Sequence, residues 1–229
     1  AQLTSGQRYA INAALKKGSV MTVNLTRVAE EYISFLNLTD NNIQNWSLTK
    51  YYKYWTDMHN MTNEHSIEAK VGKMKCADVR YFGTGDSRGT MALYIWNFRQ
   101  SIQSPFPLFT TVTAPMISGP KVPKKKFSLS LNGATTIVFA GHRFKDRIKN
   151  EAFVLSMQRC QFSANVTFDG WFAYFSTKKT LNSSGYHSVG VGNLTNATVG
   201  LVYNSYHTLN FTTTGTYTQI IFHTDTSTA

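Results

Sequence analysis

The sequence predicts a mainly β protein, built as an antiparallel sandwich or barrel with one or two helices in an N-terminal or inserted region. Three observations predict it. Apolar and polar residues alternate with a period of two in several short runs, such as Phe127-Leu129-Leu131 against Ser128-Ser130-Asn132. Turn dipeptides, Asn132-Gly133 and Asp169-Gly170, punctuate those runs. Charged residues make up only 15% of the 229 residues, and Thr, Ser and Asn fill the polar positions, as suits strands with neutral polar faces.

Taken in order, Arg27–Leu36 places Val28, Tyr32 and Phe35/Leu36 on one helical face and predicts a helix. Ser47–Met58 reads either way: Leu48, Tyr51, Tyr52 and Trp55 fit a helix, yet Tyr51–Trp55 is β-prone. Val71–Phe82, Met91–Phe98 and Phe106–Val112 read as strands. Prolines 105, 107, 115, 120 and 123 mark a linker-like zone. Phe127–Leu131 and Thr135–Ala140 read as a hairpin about Asn132-Gly133. Ala152–Phe168 reads as one bent strand or two, followed at Asp169-Gly170 by a second hairpin with Trp171–Thr177. Val199–Tyr203, Leu209–Phe211 and Thr216–Thr224 complete the β half. The chain is expected to be one domain over 1–229, with 36–70 as an insertion and 115–124 as a Pro-rich connector. The longest apolar runs are far too short to cross a bilayer, so no membrane insertion is expected.

Charge is concentrated. Lys121, Lys124, Lys125, Lys126, Arg143, Lys145, Arg147 and Lys149 stand against Asp146 alone, a formal +7 in a chain of +11. Residues 170–229 hold only Lys178, Lys179 and Asp225. In an extended segment Arg143, Lys145, Arg147 and Lys149 all point one way. Such a stripe can follow a phosphate backbone without sequence preference, with Lys16 and Lys17 adding to the same surface. The blander reading is a solvated surface run.

Nine Asn-x-Ser/Thr sequons occur where chance predicts roughly 3–4. Asn24, Asn37, Asn182, Asn193 and Asn210 are the glycosylation candidates among them. Thr/Asn-rich strands also generate sequons without meeting a glycosyltransferase. The two cysteines, Cys76 and Cys160, are expected as buried free thiols more than as a bridge.

No catalytic constellation is apparent. Gly83–Gly89 contains Gly-Asp-Ser, the opening motif of one esterase family. That family also needs Asp-x-x-His near the C-terminus, and here His223 precedes Asp225, so the loop reads as a turn. The six histidines have no metal-ligand spacing, and no cofactor or metal is expected. The aromatic runs Tyr51–Trp55 and Trp171–Phe175 read as packing surfaces, or as stacking platforms for bases or sugars.

Leu209-Asn210-Phe211 followed by Thr214-Gly215-Thr216-Tyr217-Thr218-Gln219-Ile220-Ile221-Phe222 resembles the closing strands of jelly-roll proteins. With the cationic stripe, the chain resembles a single jelly-roll coat protein of a small icosahedral virus. The resemblance implies a non-enzymatic virion protein that self-assembles into a shell. Its basic stripe would neutralise packaged nucleic acid without sequence preference. The alternative is a secreted or virion-surface glycosylated module that attaches to acidic glycans or a host receptor.

Overall fold

The computed structural model describes residues 5–16, 18–40, 42–58, 63–83, 91–141, 152–178 and 185–224. It is mainly β, with antiparallel sheets in a sandwich-like arrangement and, among the described residues, three α-helices where one or two helices were expected. The helices are α1 (Ser5–Leu15), α2 (Leu25–Asp40) and α3 (Lys53–Met58). The strands are β1 (Met21–Asn24), β2 (Ile43–Ser47), β3 (Glu68–Val71), β4 (Lys75–Gly83), β5 (Met91–Gln103), β6 (Phe109–Ala114), β7 (Lys125–Ser130), β8 (Thr136–Ala140), β9 (Ala152–Asp169), β10 (Trp171–Ser176), β11 (Tyr186–Gly190), β12 (Val202–Ser205) and β13 (Thr208–Thr224).

The main sheet runs β1-β5-β13-β9-β3, with β8 on β5, β12 on β13 and β4 on β9. Its spine is β5, β9 and β13, of 13, 18 and 17 residues. At about 3.3 Å per residue the two longest reach about 55 Å. β13 pairs along its whole length with β9, from Thr208↔Asp169 to Thr224↔Ala152. That register requires Gly215 in β13. A Cβ there would lie 2.1 Å from the Asn97 carbonyl oxygen and 2.6 Å from the Phe162 ring. Two smaller sheets, β11-β10-β2 and β6-β7, stand apart from the main one.

Both turn dipeptides work differently from expectation. β7 pairs with β6, and β8 pairs with β5, so Asn132-Gly133 joins two sheets and does not close a hairpin. The Asn132 side chain holds this corner: its Oδ1 accepts from the Ser104 N–H at 2.7 Å, and its Nδ2 donates to the Ser104 carbonyl at 2.8 Å. Asp169-Gly170 likewise carries the chain from the main sheet to the small one, where β10 pairs with β2 and β11. Gly170 sits at φ +137°, and a Cβ there would meet the Ser66 carbonyl oxygen at 2.7 Å. Period-two patterning identifies strands but not which edges they choose.

The helix expected over Arg27–Leu36 lies within α2, with Leu25, Ala29 and Ile33 buried and Phe35 exposed. In the ambiguous stretch only Lys53–Met58 is helical, anchored by buried Tyr54. Ala152–Asp169 is a single strand. The cysteines are not free: Cys76 and Cys160 form a disulfide joining β4 to β9. With the cysteines 84 positions apart, loop closure alone is worth about 4.5 kcal/mol in the chain-entropy account.

Candidate functional site

The feature that stands out is the β6–β7 hairpin. Among the described residues its two strands pair only with each other, from Phe109↔Ser130 to Ala114↔Lys125. Burial alternates strictly over eleven residues: Ser104, Phe106, Leu108, Thr110, Val112 and Ala114 are buried, and the residues between them are exposed. The return strand repeats the pattern, with Phe127, Leu129 and Leu131 buried between exposed Lys126, Ser128 and Ser130. The apolar face packs on the main sheet. Phe127 stacks on Phe139 at 4.4 Å and tilts against Tyr94 at 5.8 Å, while Phe106 meets Phe168 at 6.0 Å. The outward face carries Thr111, Thr113, Ser128 and Ser130, with Phe109 61% exposed.

The hairpin's charge is gathered at one end. Residues 100–120 and 127–141 contain no Asp, Glu, Lys or Arg, and the four lysines 121, 124, 125 and 126 lie between them. All four are exposed, and the Lys125 ammonium lies 5.6 Å from the centre of the Phe127 ring. They are the part of the predicted cationic stripe that the structure brings together. Lys16 is exposed just past the end of α1. Lys17, Arg143, Lys145, Arg147 and Lys149 lie outside the described residues, as do Gly83–Gly89 beyond Gly83 itself.

A buried polar cluster fastens the turn of the hairpin to the main sheet. The Tyr217 hydroxyl accepts from the Met116 N–H at 3.2 Å and donates to Gln219 Oε1 at 2.8 Å. Gln219 Oε1 also accepts from the Ile117 N–H at 3.2 Å. Gln219 Nε2 donates to the Ile117 carbonyl at 3.1 Å and to Gln158 Oε1 at 2.8 Å. Elsewhere the Thr110 hydroxyl donates to the Gly72 carbonyl at 3.4 Å. Burial holds the Tyr217 hydroxyl well above its ordinary pKa, and the bond from Met116 offsets this only in part. No signal in the sequence separated these residues from other core positions. Tyr217 and Gln219 are two apart and so share a sheet face, but the segment they grip is about a hundred residues away.

The two aromatic runs converge on Tyr186. Tyr52 and Tyr54 approach Tyr186 edge-on and tilted, at 6.0 and 5.6 Å, and Phe175 meets Tyr186 at 5.2 Å. Most of these rings are half-buried or buried against one another, the packing arrangement of the two alternatives; Tyr51 stands apart at 84% exposure. Beside them Trp171 stacks on His207 at 4.5 Å, and His207 Nδ1 lies 2.6 Å from Asp169 Oδ1. Among the described residues no three His, Cys, Asp or Glu side chains cluster as metal ligands.

The sequon asparagines differ in what their amides already do. Asn24 is exposed, and its Oδ1 accepts from the Arg27 N–H at the start of α2. Asn37 Oδ1 accepts from the Ile43 N–H, Asn193 Nδ2 donates to the Gly190 carbonyl at 2.9 Å, and Asn210 Oδ1 accepts from Thr167 at 3.1 Å. Asn182 lies outside the described residues.

No family model and no curated protein matches the chain. Solved structures do resemble it. The Cry23Aa1–Cry37Aa1 binary protein complex aligns with TM-score 0.45 and 7% identity over 87% of this chain and 85% of that one. A non-toxic crystal protein from Bacillus thuringiensis aligns with TM-score 0.44 and 10% identity, over 90% and 95%. The Mpp75Aa1.1 β-pore-forming protein from Brevibacillus laterosporus aligns with TM-score 0.38 and 9% identity, over 88% and 87%. Likenesses this distant assign no activity. They do overturn the expectation of a viral coat protein, since these structures are crystal proteins and a pore former, and the lining role given to Lys121–Lys149 falls with it. Physically, the described lysines of that window crowd the end of one self-paired hairpin instead of spreading along a shell's inner wall. Of the expected partners, association with protein chains has a counterpart in the binary complex, whereas nucleic acid and glycan have none.

Proposed function

We propose that this is an extracellular, non-catalytic protein that perforates membranes by inserting the hairpin 104–131 as part of an oligomeric β-barrel. One observation carries the reading: a strictly alternating hairpin whose charge is confined to the lysines at one end and whose ladder is complete within itself. An eleven-residue extended run reaches about 36 Å, or about 25 Å of bilayer when tilted by about 45°. A spanning strand needs about 9–11 residues with one apolar face toward lipid and one polar face toward water. Phe106, Leu108, Val112, Phe127 and Leu129 supply the first face, and Thr111, Thr113, Ser128 and Ser130 the second.

The energetics favour lipid over water as the destination. Each large apolar side chain exposed to water costs about 1.5–3 kcal/mol, whereas moving it from core to hydrocarbon costs little. The internal ladder travels with the hairpin, so the hydrogen bonds that must break are few: those to Tyr217, Gln219 and Gly72, and those from the Asn132 side chain to Ser104 and Phe106. Lysines 121 and 124–126 would sit at the membrane interface, where a charge costs about 0–1 kcal/mol against about 2–4 at the midplane. One hairpin in a bilayer leaves two unpaired edges, so insertion implies several copies closing a barrel. That is the form of self-association proposed here. No helix among the described residues is long and apolar enough to cross a membrane, a statement that leaves strands untouched. The disulfide supports an oxidising, extracellular setting.

The test is dye release from liposomes by the full chain. Release is expected from the native protein and is expected to fall at least tenfold in Thr111→Lys/Thr113→Glu/Ser128→Pro, whose exposed positions leave the packed core untouched while Pro breaks the ladder. Equal release by the folded variant, or none by the native protein with or without proteolytic nicking, would remove the reading.

A further inference from the structure

We propose that Arg80 and Arg159 form a binding site for a phosphate-bearing ligand, on the face of the main sheet opposite the hairpin. β4 and β9 place the two arginines directly across from each other, and directly opposed residues share a face. Like charges in that position repel unless something lies between them. A bulge produces the pairing. Ala77 faces Gln161 and Arg80 faces Arg159, so Asp78 and Val79 oppose the single residue Cys160. Asp78 takes φ +55°, a left-handed conformation that Asp tolerates better than most residues. Without this extra residue Arg80 would point to the other side of the strand.

Among the described residues neither guanidinium has an ion-pair or hydrogen-bond partner; Arg159 Nε is buried without one. The Arg159 guanidinium instead lies 5.7 Å from the centre of the Phe82 ring. Both arginines line a cavity of about 570 Å³ with Gln161, Thr216, Asp78 and Phe82, a volume within the range of small-molecule sites. Asp78 lies on the wall without an ion pair to either arginine, leaving one net positive charge on the lining. Two guanidinium forks side by side offer more donors than one carboxylate accepts. They match the three or four oxygens of a phosphate, with the Gln161 amide and Thr216 hydroxyl beside them. The ligand can be a soluble phosphate ester or the phosphate of a lipid headgroup, and the site's existence does not depend on the hairpin's insertion.

The test follows the thermal midpoint of the full chain in inorganic phosphate against chloride at equal ionic strength, with vesicles of phosphatidylcholine, with and without phosphatidic acid, as a second arm. The native protein is expected to show a phosphate-specific rise in midpoint that R80Q loses and R80K partly keeps. In phosphate-free buffer R80Q is expected to melt no lower than native, because the repulsion is relieved; this separates lost binding from lost folding. Arg80 is the exposed partner, so it carries the test, with R159Q as its complement. Vesicle binding that depends on phosphatidic acid and on Arg80 would identify a lipid headgroup. A phosphate response without it would identify a soluble ester. Phosphate and chloride acting alike, with vesicle binding unaffected by R80Q, would overturn the site.

Discussion

Tyr217 and Gln219 sit two residues apart on β13, and together with Gln158 they hold the turn of the β6–β7 hairpin. A buried donor left unpaired costs about 1–3 kcal/mol. Tyr217→Phe leaves the Met116 N–H in that position, so it is expected to destabilise the protein by about that amount. Hydrogen exchange should locate the change, with amides of 106–117 exchanging faster and those of the β9 core unchanged. Uniformly faster exchange would mean that Tyr217 supports the whole sheet and does not specifically hold the turn. A second consequence concerns alkali. Burial raises Tyr217 well above an ordinary phenol, and pushes Tyr94 and Tyr52 up to about 12, with Tyr186 contributing to the latter. Their folded pKa values exceed the unfolded value of about 10. The associated stability is therefore intact below pH 10 and is lost as pH rises through the folded values. Tyrosinate absorbance should show these rings ionising together with unfolding above about pH 11.

At the scale of elements, β4 and the β6–β7 hairpin are held in opposite ways. β4 is exposed along almost its whole length, including Val79, Tyr81 and Phe82, so its own side chains bury little. The ladder to β9 and the Cys76–Cys160 bridge hold it in place. Reduction is expected to lower the thermal midpoint and to free the amides of 75–83 before those of β5, β9 or β13. Simultaneous loss of all four strands would show that the bridge stabilises the fold globally and not β4 in particular. The hairpin, in contrast, is held by its buried apolar face and a few hydrogen bonds, an arrangement in which one element can exchange its surroundings without losing its own ladder. The sequence made the alternation of Phe127, Leu129 and Leu131 legible because period-two burial is local. The partner strand was not legible. Asn132-Gly133 has the residues of a two-residue turn, but the Asn132 side chain bonds the backbone of Ser104 and carries the chain into another sheet. The pairing of Arg80 with Arg159 was hidden for a related reason: it depends on a bulge at Asp78 and on a contact across 79 positions, neither of which leaves a mark in composition.

For the molecule as a whole, charge and apolar surface are segregated. The main sheet supplies a long spine; the cationic residues 121 and 124–126 stand at one end of a hairpin whose strands carry no charge beyond Lys125 and Lys126. Charge concentration was legible in the sequence, but its meaning was not. The same lysines read as a shell lining or as the tip of a hairpin, and only the pairing of β6 with β7 separates the two. The cysteine expectation failed similarly, since two thiols 84 positions apart become neighbours only once β4 is laid on β9.

The central claim, membrane insertion by the hairpin, is tested most directly by placing a fluorophore singly at Thr111, Val112, Ser128 and Leu129 and adding liposomes that carry a quencher in their acyl chains. Insertion predicts strong lipid quenching at Val112 and Leu129, little at Thr111 and Ser128, and the reverse pattern with a water-soluble quencher. Absence of lipid quenching at all four positions, while the protein is bound to the liposomes, would contradict it.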